Sequence, residues 1–203
     1  MPARDVDPAP PPTEIADLAD SCVRFVLDAL GLQLDYTPET LPVLDHYLRE
    51  GARGAKPEVL ALLAPAAGAY FGETVRRNMA GARWHCPAES EYRDFRLEFD
   101  PFFLCFNPIG VAVEVLTLED ATGFGAHFNV LEEARAPIAT ALESSEGVDE
   151  TSYYTFTMRW EALEQVANLL SALESKQAKR RRFGPEVYRA ASGETGGSSG
   201  PLS

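Results

Sequence analysis

Gly68 and Gly72 stand four residues apart inside PAAGAYFGETVRRNMAGARW (Pro65–Trp84), and no other feature of the 203-residue chain restricts its packing as sharply. On a helix, residues at this spacing share one face and leave a strip without side chains, which a neighbouring element can approach closely. Tyr70 and Phe71 flank the strip with apolar area. Glu73 lies three and four residues before Arg76 and Arg77, in ion-pair register. Tyr70, Glu73, Arg76, Arg77 and Trp84 are therefore candidate binding residues. The blander account makes the glycines a packing device and Glu73 an ordinary surface ion pair, worth about 0.3–0.5 kcal/mol.

Apolar periodicity places the other elements around this stretch. Ile15, Leu18, Cys22, Phe25, Val26, Ala29 and Leu30 form one helical stripe, which Thr13 caps and Gly31 ends. Thr37-Pro38 opens a second helix carrying Leu41, Leu44 and Leu48 and closed by Gly51. Pro57 opens a third, which Pro65 must kink or restart. The period then changes. Phe95, Leu97 and Phe99 alternate with Arg96 and Glu98, which predicts one wet face, Asp100-Pro101 turns, and FFLCF (Phe102–Phe106) is a continuous apolar run, so a hairpin is predicted. Asn107-Pro108 starts another helix, favoured over a strand through Val111, Val113 and Val115. Phe128, Leu131, Arg135, Ile138 and Leu142 mark a helix interrupted by Pro137. Ser152–Met158 (SYYTFTM) is rich in β-formers and reads as a strand. Trp160, Leu163, Val166, Leu170 and Leu173 give the last helix. The expectation is an α+β fold of about six helices on a small, mainly antiparallel sheet of three or more strands. It occupies residues 13–190 as a single domain, between a proline-rich tail (1–12) and a glycine- and serine-rich tail (191–203).

Charge narrows the function classes. The net charge is −13, which opposes general nucleic-acid affinity and an anionic membrane surface. One short segment runs the other way. Leu170–Ala190 carries six bases and two acids, with Lys179, Arg180, Arg181 and Arg182 at its centre. This basic patch serves either an acidic partner or, more simply, a helix C-terminus and the protein's own carboxylates. No apolar run approaches membrane-spanning length, and MPARDVDPAPPP has no secretory apolar core. The three cysteines, Cys22, Cys86 and Cys105, show no framework spacing, so free thiols and a cytoplasmic location are expected.

Candidate chemistry is sparse. His85-Cys86 with Cys105 and His127 contains zinc-binding atoms, but structural zinc ligands come in pairs two to four apart, so no metal and no cofactor is expected. Cys86 beside His46, His85 or His127 is the only nucleophile arrangement on offer, without a nucleophile signature around it. The G-x-x-x-G lies within a helix and is not a phosphate-binding loop.

The segments GAYFGETVRR…W, FNPIGVAVEVL and YYTFTMRWEALEQV resemble a family of small acidic bacterial proteins of unknown function, of the kind found in myxobacteria, across approximately Thr13 to Leu173. The resemblance implies one compact domain and no particular reaction. The first functional expectation is a cytoplasmic acidic binding or regulatory protein that engages a protein partner of basic character, such as an immunity protein neutralising a toxin. The alternative is a hydrolase using Glu73 or the His85/Cys86 pair. A third reading is an RNA contact through Arg180–Arg182.

Overall fold

The computed structural model describes residues 10–143, 154–177 and 181–193. The terminal tails (1–9 and 194–203), the acidic stretch from Ser144 and, within the basic patch, Lys179 and Arg180 lie outside those residues. The fold is α+β, with seven α-helices and a four-stranded antiparallel sheet among the described residues. The helices are α1 (Thr13–Leu30), α2 (Leu41–Ala52), α3 (Pro57–Asn78), α4 (Pro108–Thr117), α5 (Glu132–Glu143), α6 (Phe156–Ser175) and α7 (Pro185–Ala191). The strands are β1 (Ala82–His85), β2 (Arg96–Phe99), β3 (Leu104–Phe106) and β4 (Asn129–Val130), paired in sequence order.

Helix α3 is the axis. Every residue from Leu63 to Arg76 is buried, and α1 and α4 both pack along it. The glycine strip faces α4 and β1. A Cβ on Gly68 would run into the Ile109 Cα and lie 2.8 Å from the Pro108 carbonyl oxygen, and one on Gly72 would run into the Trp84 ring. Pro65 neither ends nor restarts α3. Burial on all sides holds the helix together across one missing hydrogen bond, so packing outweighs the local penalty.

The β2–β3 hairpin forms as expected, and α4 begins at Asn107-Pro108. The Asn107 side chain accepts from the Ile109 and Gly110 amides at 2.9 and 3.2 Å. Other elements depart from expectation. Thr13 is the first residue of α1 and gives no side-chain cap, because Pro12 occupies the capping position. Thr37-Pro38 opens a 3₁₀ turn (Pro38–Thr40) that leads into α2. β1 and β4 are short strands that periodicity did not separate from their neighbours. Within SYYTFTM, Phe156–Met158 is the first turn of α6, and Ser152 and Tyr153 lie outside the described residues. Asp45 of α2 overrides the β-propensity there. Its carboxylate accepts from the Phe156 and Thr157 amides at 2.7 and 3.0 Å, while the Thr155 hydroxyl accepts from Met158. Helix α7 was not anticipated at all.

The sheet has two unlike faces, because side chains alternate along each strand. Leu97, Phe99, Leu104, Phe106 and Val130 join the main core against the helices. On the other face the pairing Arg83–Glu98–Cys105–Asn129 runs straight across all four strands. A second, smaller cluster of Phe103, Cys105, Phe183 and Tyr188 forms on this outer face under the C-terminal segment.

Candidate functional site

The C-terminal half of α3 and strand β1 bring Glu73, Arg76, Arg77 and Trp84 together. Arg76 grips Glu73 with two parallel bonds, Nε to Oε1 at 2.7 Å and Nη2 to Oε2 at 2.8 Å. Trp84 Nε1 donates to Oε1 at 2.9 Å and Arg77 Nε to Oε2 at 3.3 Å. Glu73 is fully buried and Arg76 nearly so. The register that marks a surface pair in the sequence thus builds an interior one, and the 0.3–0.5 kcal/mol scale of the exposed case does not apply. Both carboxylate oxygens are engaged, so the group fixes β1 to α3.

Tyr70 belongs to an adjoining aromatic stack that the sequence does not advertise. The Tyr36 and Tyr70 rings lie 4.8 Å apart, and the Arg77 guanidinium sits 3.6 Å over the Tyr36 ring. The Tyr70 hydroxyl accepts from the Tyr36 amide and meets the Thr40 hydroxyl at 2.8 Å. Burial raises the Tyr70 phenol above its ordinary range, and burial with the Asp20 hydrogen bond does the same for Tyr36. Of the five candidates only Arg77 and Trp84 keep part of their surface in solvent.

The cysteine and histidine candidates do not assemble. Burial pushes the Cys86 thiol up to about 12, so at neutral pH it carries its proton and is a poor nucleophile. Cys22 is held at about 12 and Cys105 at about 11 by the same cause. All three are free thiols. His85 lies beside Glu98, with Nδ1 3.9 Å from Oε1. His127 turns instead towards Glu114 and Asp120, the three offering ligand atoms within 4.8 Å of one another. Arg159 is hydrogen-bonded to Glu114 Oε2, and the Ala121 amide donates to Oε1 at 3.3 Å. A guanidinium already neutralises the one buried carboxylate of that trio, which disfavours a cation there.

Four carboxylates besides Glu73 are buried, Asp45, Glu98, Glu114 and Glu174, and the alternation that predicts a wet face at Glu98 is overturned there, since Glu98 is only 1% exposed. Glu98 takes Arg83 and Arg96 at 3.0 Å each on the outer sheet face, Glu114 takes Arg159, and Asp45 caps α6. Burial raises the Asp45 carboxyl against its hydrogen bonds to Thr157 and Phe156. Two of them had a signal: Glu98 interrupts the apolar run LEF, and Glu114 is the only charge in PIGVAVEVLT.

The described part of the basic patch is spent on the protein's own acids. Arg181 bridges Glu174 at 2.5 Å and Glu133 at 3.2 Å, and Arg182 reaches Asp100 at 3.0 Å. An open hollow of about 360 Å³ lies between the start of α1 and residues 90–93. Glu14, Ser90, Glu91, Tyr92, Arg93 and Phe124 line it, so neither Glu73 nor His85/Cys86 opens into it.

Residues 3–93, the part that holds α1 to α3, β1 and Glu73 with Arg76, Arg77 and Trp84, match the model of a family of unknown function, DUF6278. Comparison with curated proteins and with solved structures finds no match. No helix among the described residues is long and apolar enough to cross a membrane.

Proposed function

We propose that the chain is an acidic binding or regulatory protein that engages a basic protein partner. The observation that carries this reading is the outward charge of α1 and the turn after it. Glu14, Asp17, Asp20, Asp28, Asp35 and Glu39 are all exposed there, against the single base Arg24. Hydrogen bonds from Thr37 hold the Asp35 carboxyl below the usual carboxylate range, so it stays ionised well into acid. Ten arginines elsewhere pair with the protein's own carboxylates, which leaves the surplus negative charge facing outward. Such a surface raises the encounter rate with a cationic partner and loses that advantage in salt. A toxin-neutralising immunity protein is one concrete version. The free thiols accord with a reducing, cytoplasmic setting.

The hydrolase reading draws little from the geometry. Glu73 has no oxygen to offer a substrate, and Cys86 is held as a thiol. Affinity capture from the cell of origin tests the proposal. A partner retained at low ionic strength and released at high ionic strength is expected, and capture of none at low ionic strength would overturn it.

A further inference from the structure

Arg181 to Ala191 behaves towards the rest of the molecule as a bound peptide does. It rests on the outer face of the sheet, and its contacts fall into two groups. Aromatic anchors form the first. The Tyr188 ring stacks on Phe103 at 4.6 Å and 12°, and Phe183 meets the same ring edge-on at 6.0 Å. Both side chains are at most 5% exposed. The Tyr188 hydroxyl replaces the next rung of the β2–β3 ladder, which stops at Glu98–Cys105. It accepts from the amides of Phe99 at 3.2 Å and Leu104 at 3.1 Å, and its own proton faces the Phe99 carbonyl at 2.7 Å. Arg83 Nη2 donates to the Phe183 carbonyl at 2.9 Å.

Charge forms the second group. Glu133, Glu174 and Asp100 rim the seat and receive Arg181 and Arg182, while the Asp100 carbonyl accepts from the Phe183 amide at 3.1 Å. The seat is thus an aromatic floor with an acidic edge, complementary to a basic segment that carries two aromatic side chains five residues apart. Its cluster shares no residue with the main core. Proteins open in cooperative local units with free energies ranging up to the global value, and the separate small cluster marks this segment as one such unit. The outermost contact is weakly held, since the Arg182 side chain is 84% exposed.

We infer that this seat is the docking surface for the basic partner and that the chain's own C-terminal strap occupies it as an autoinhibitory ligand. The inference rests on the proposed reading that the partner is basic, and it adds where the partner binds and what regulates access. A partner segment with an Arg-Arg-aromatic start and a following tyrosine or phenylalanine displaces the strap. The apparent affinity is reduced by the fraction of molecules whose seat is open.

The probe is a fluorescein-labelled RRFGPEVYRAA peptide, titrated by anisotropy into the full chain and into an Arg181→Glu/Arg182→Glu variant. Those substitutions reverse the rim pairs and leave both aromatic anchors in place. The variant is expected to bind the peptide at least about tenfold more tightly than the parent, because the internal competitor is weakened. Tyr188→Phe keeps the ring and removes the hydroxyl, and it serves the same comparison if the double variant does not fold. Equal affinities for parent and both released variants overturn the inference. A peptide with alanine at both aromatic positions separates the two levels. If it binds as tightly as the original, and salt weakens both, the aromatic seat is refuted while the general acidic reading stands. If neither peptide binds any of the proteins, the seat inference is refuted, and the acidic reading stands or falls separately on the affinity capture.

Discussion

Four hydrogen-bond donors converge on the two oxygens of Glu73, three from arginines and one from an indole. Removing the charge strands Arg76 in the interior, where an uncompensated cation costs about 3–5 kcal/mol. Glu73→Gln is therefore expected to lower the urea-derived stability by that order, and a loss under about 1 kcal/mol would show that the pair is solvated after all. The register of this pair is visible in the letters ETVRR. Its depth is not, because burial depends on β1 and α4 arriving from distant parts of the chain. Cys22 gives a pH-dependent test. Its thiol is lifted by burial to about 12, above an unfolded value near 8.5. The native state thus holds a proton that the unfolded state releases. The stabilisation is complete below the unfolded value and is lost as pH rises towards the folded one. Cys22→Ala should flatten the fall in stability between about pH 9 and 11 by about 1.4 kcal/mol per pH unit, read from denaturation curves at each pH. An unchanged slope would mean that the thiol is not sealed.

At the scale of elements, α3 and α4 touch backbone to backbone at Gly68, and two physical effects predict opposite signs for Gly68→Ala. Helix propensity alone favours alanine by about 0.8–1 kcal/mol. The new Cβ would overlap the Ile109 main chain, which cannot swing aside as a side chain can, and overpacking of that kind costs about 1–3 kcal/mol or more. The account predicts a net loss in thermal or urea stability, and a gain would remove α3 from its role as axis. What the sequence reveals here follows the range of the interactions. The hairpin, α4 and the glycine strip are written in local signals: the alternation of Phe95–Phe99, the Asn-Pro cap, the i, i+4 glycines. Phe156–Met158 misleads because its helical start is imposed by Asp45, more than a hundred residues away. β4 is two residues long and carries no period of its own, while β1 alternates Ala82 and Trp84 with Arg83 and His85 but has no apolar run beside it, like FFLCF beside β2, to mark it as half of a hairpin. Helix α7, seven residues long, is too short to be stable alone and is held by the packing of Tyr188 and Val187 on the outer sheet face.

The whole molecule joins two cores of unequal size on opposite faces of one sheet. The larger holds the helices, and the smaller holds the C-terminal segment over Phe103 and Cys105. The basic patch is legible as a run of bases, and the use of its described arginines, Arg181 and Arg182, on the protein's own carboxylates is one of the two alternatives the sequence leaves open. The aromatic seat beneath it is not legible, because Phe103, Phe183 and Tyr188 meet only once the sheet exists. Release of the C-terminal strap, as inferred above, requires that the small core open while the large one stays closed. Native-state hydrogen exchange on the full chain measures that difference most directly. The account predicts that the amides of α7 exchange through an opening well below the global unfolding free energy, while those of Leu63–Arg76 in α3 exchange only with global unfolding. Equal opening free energies for the two segments would contradict it.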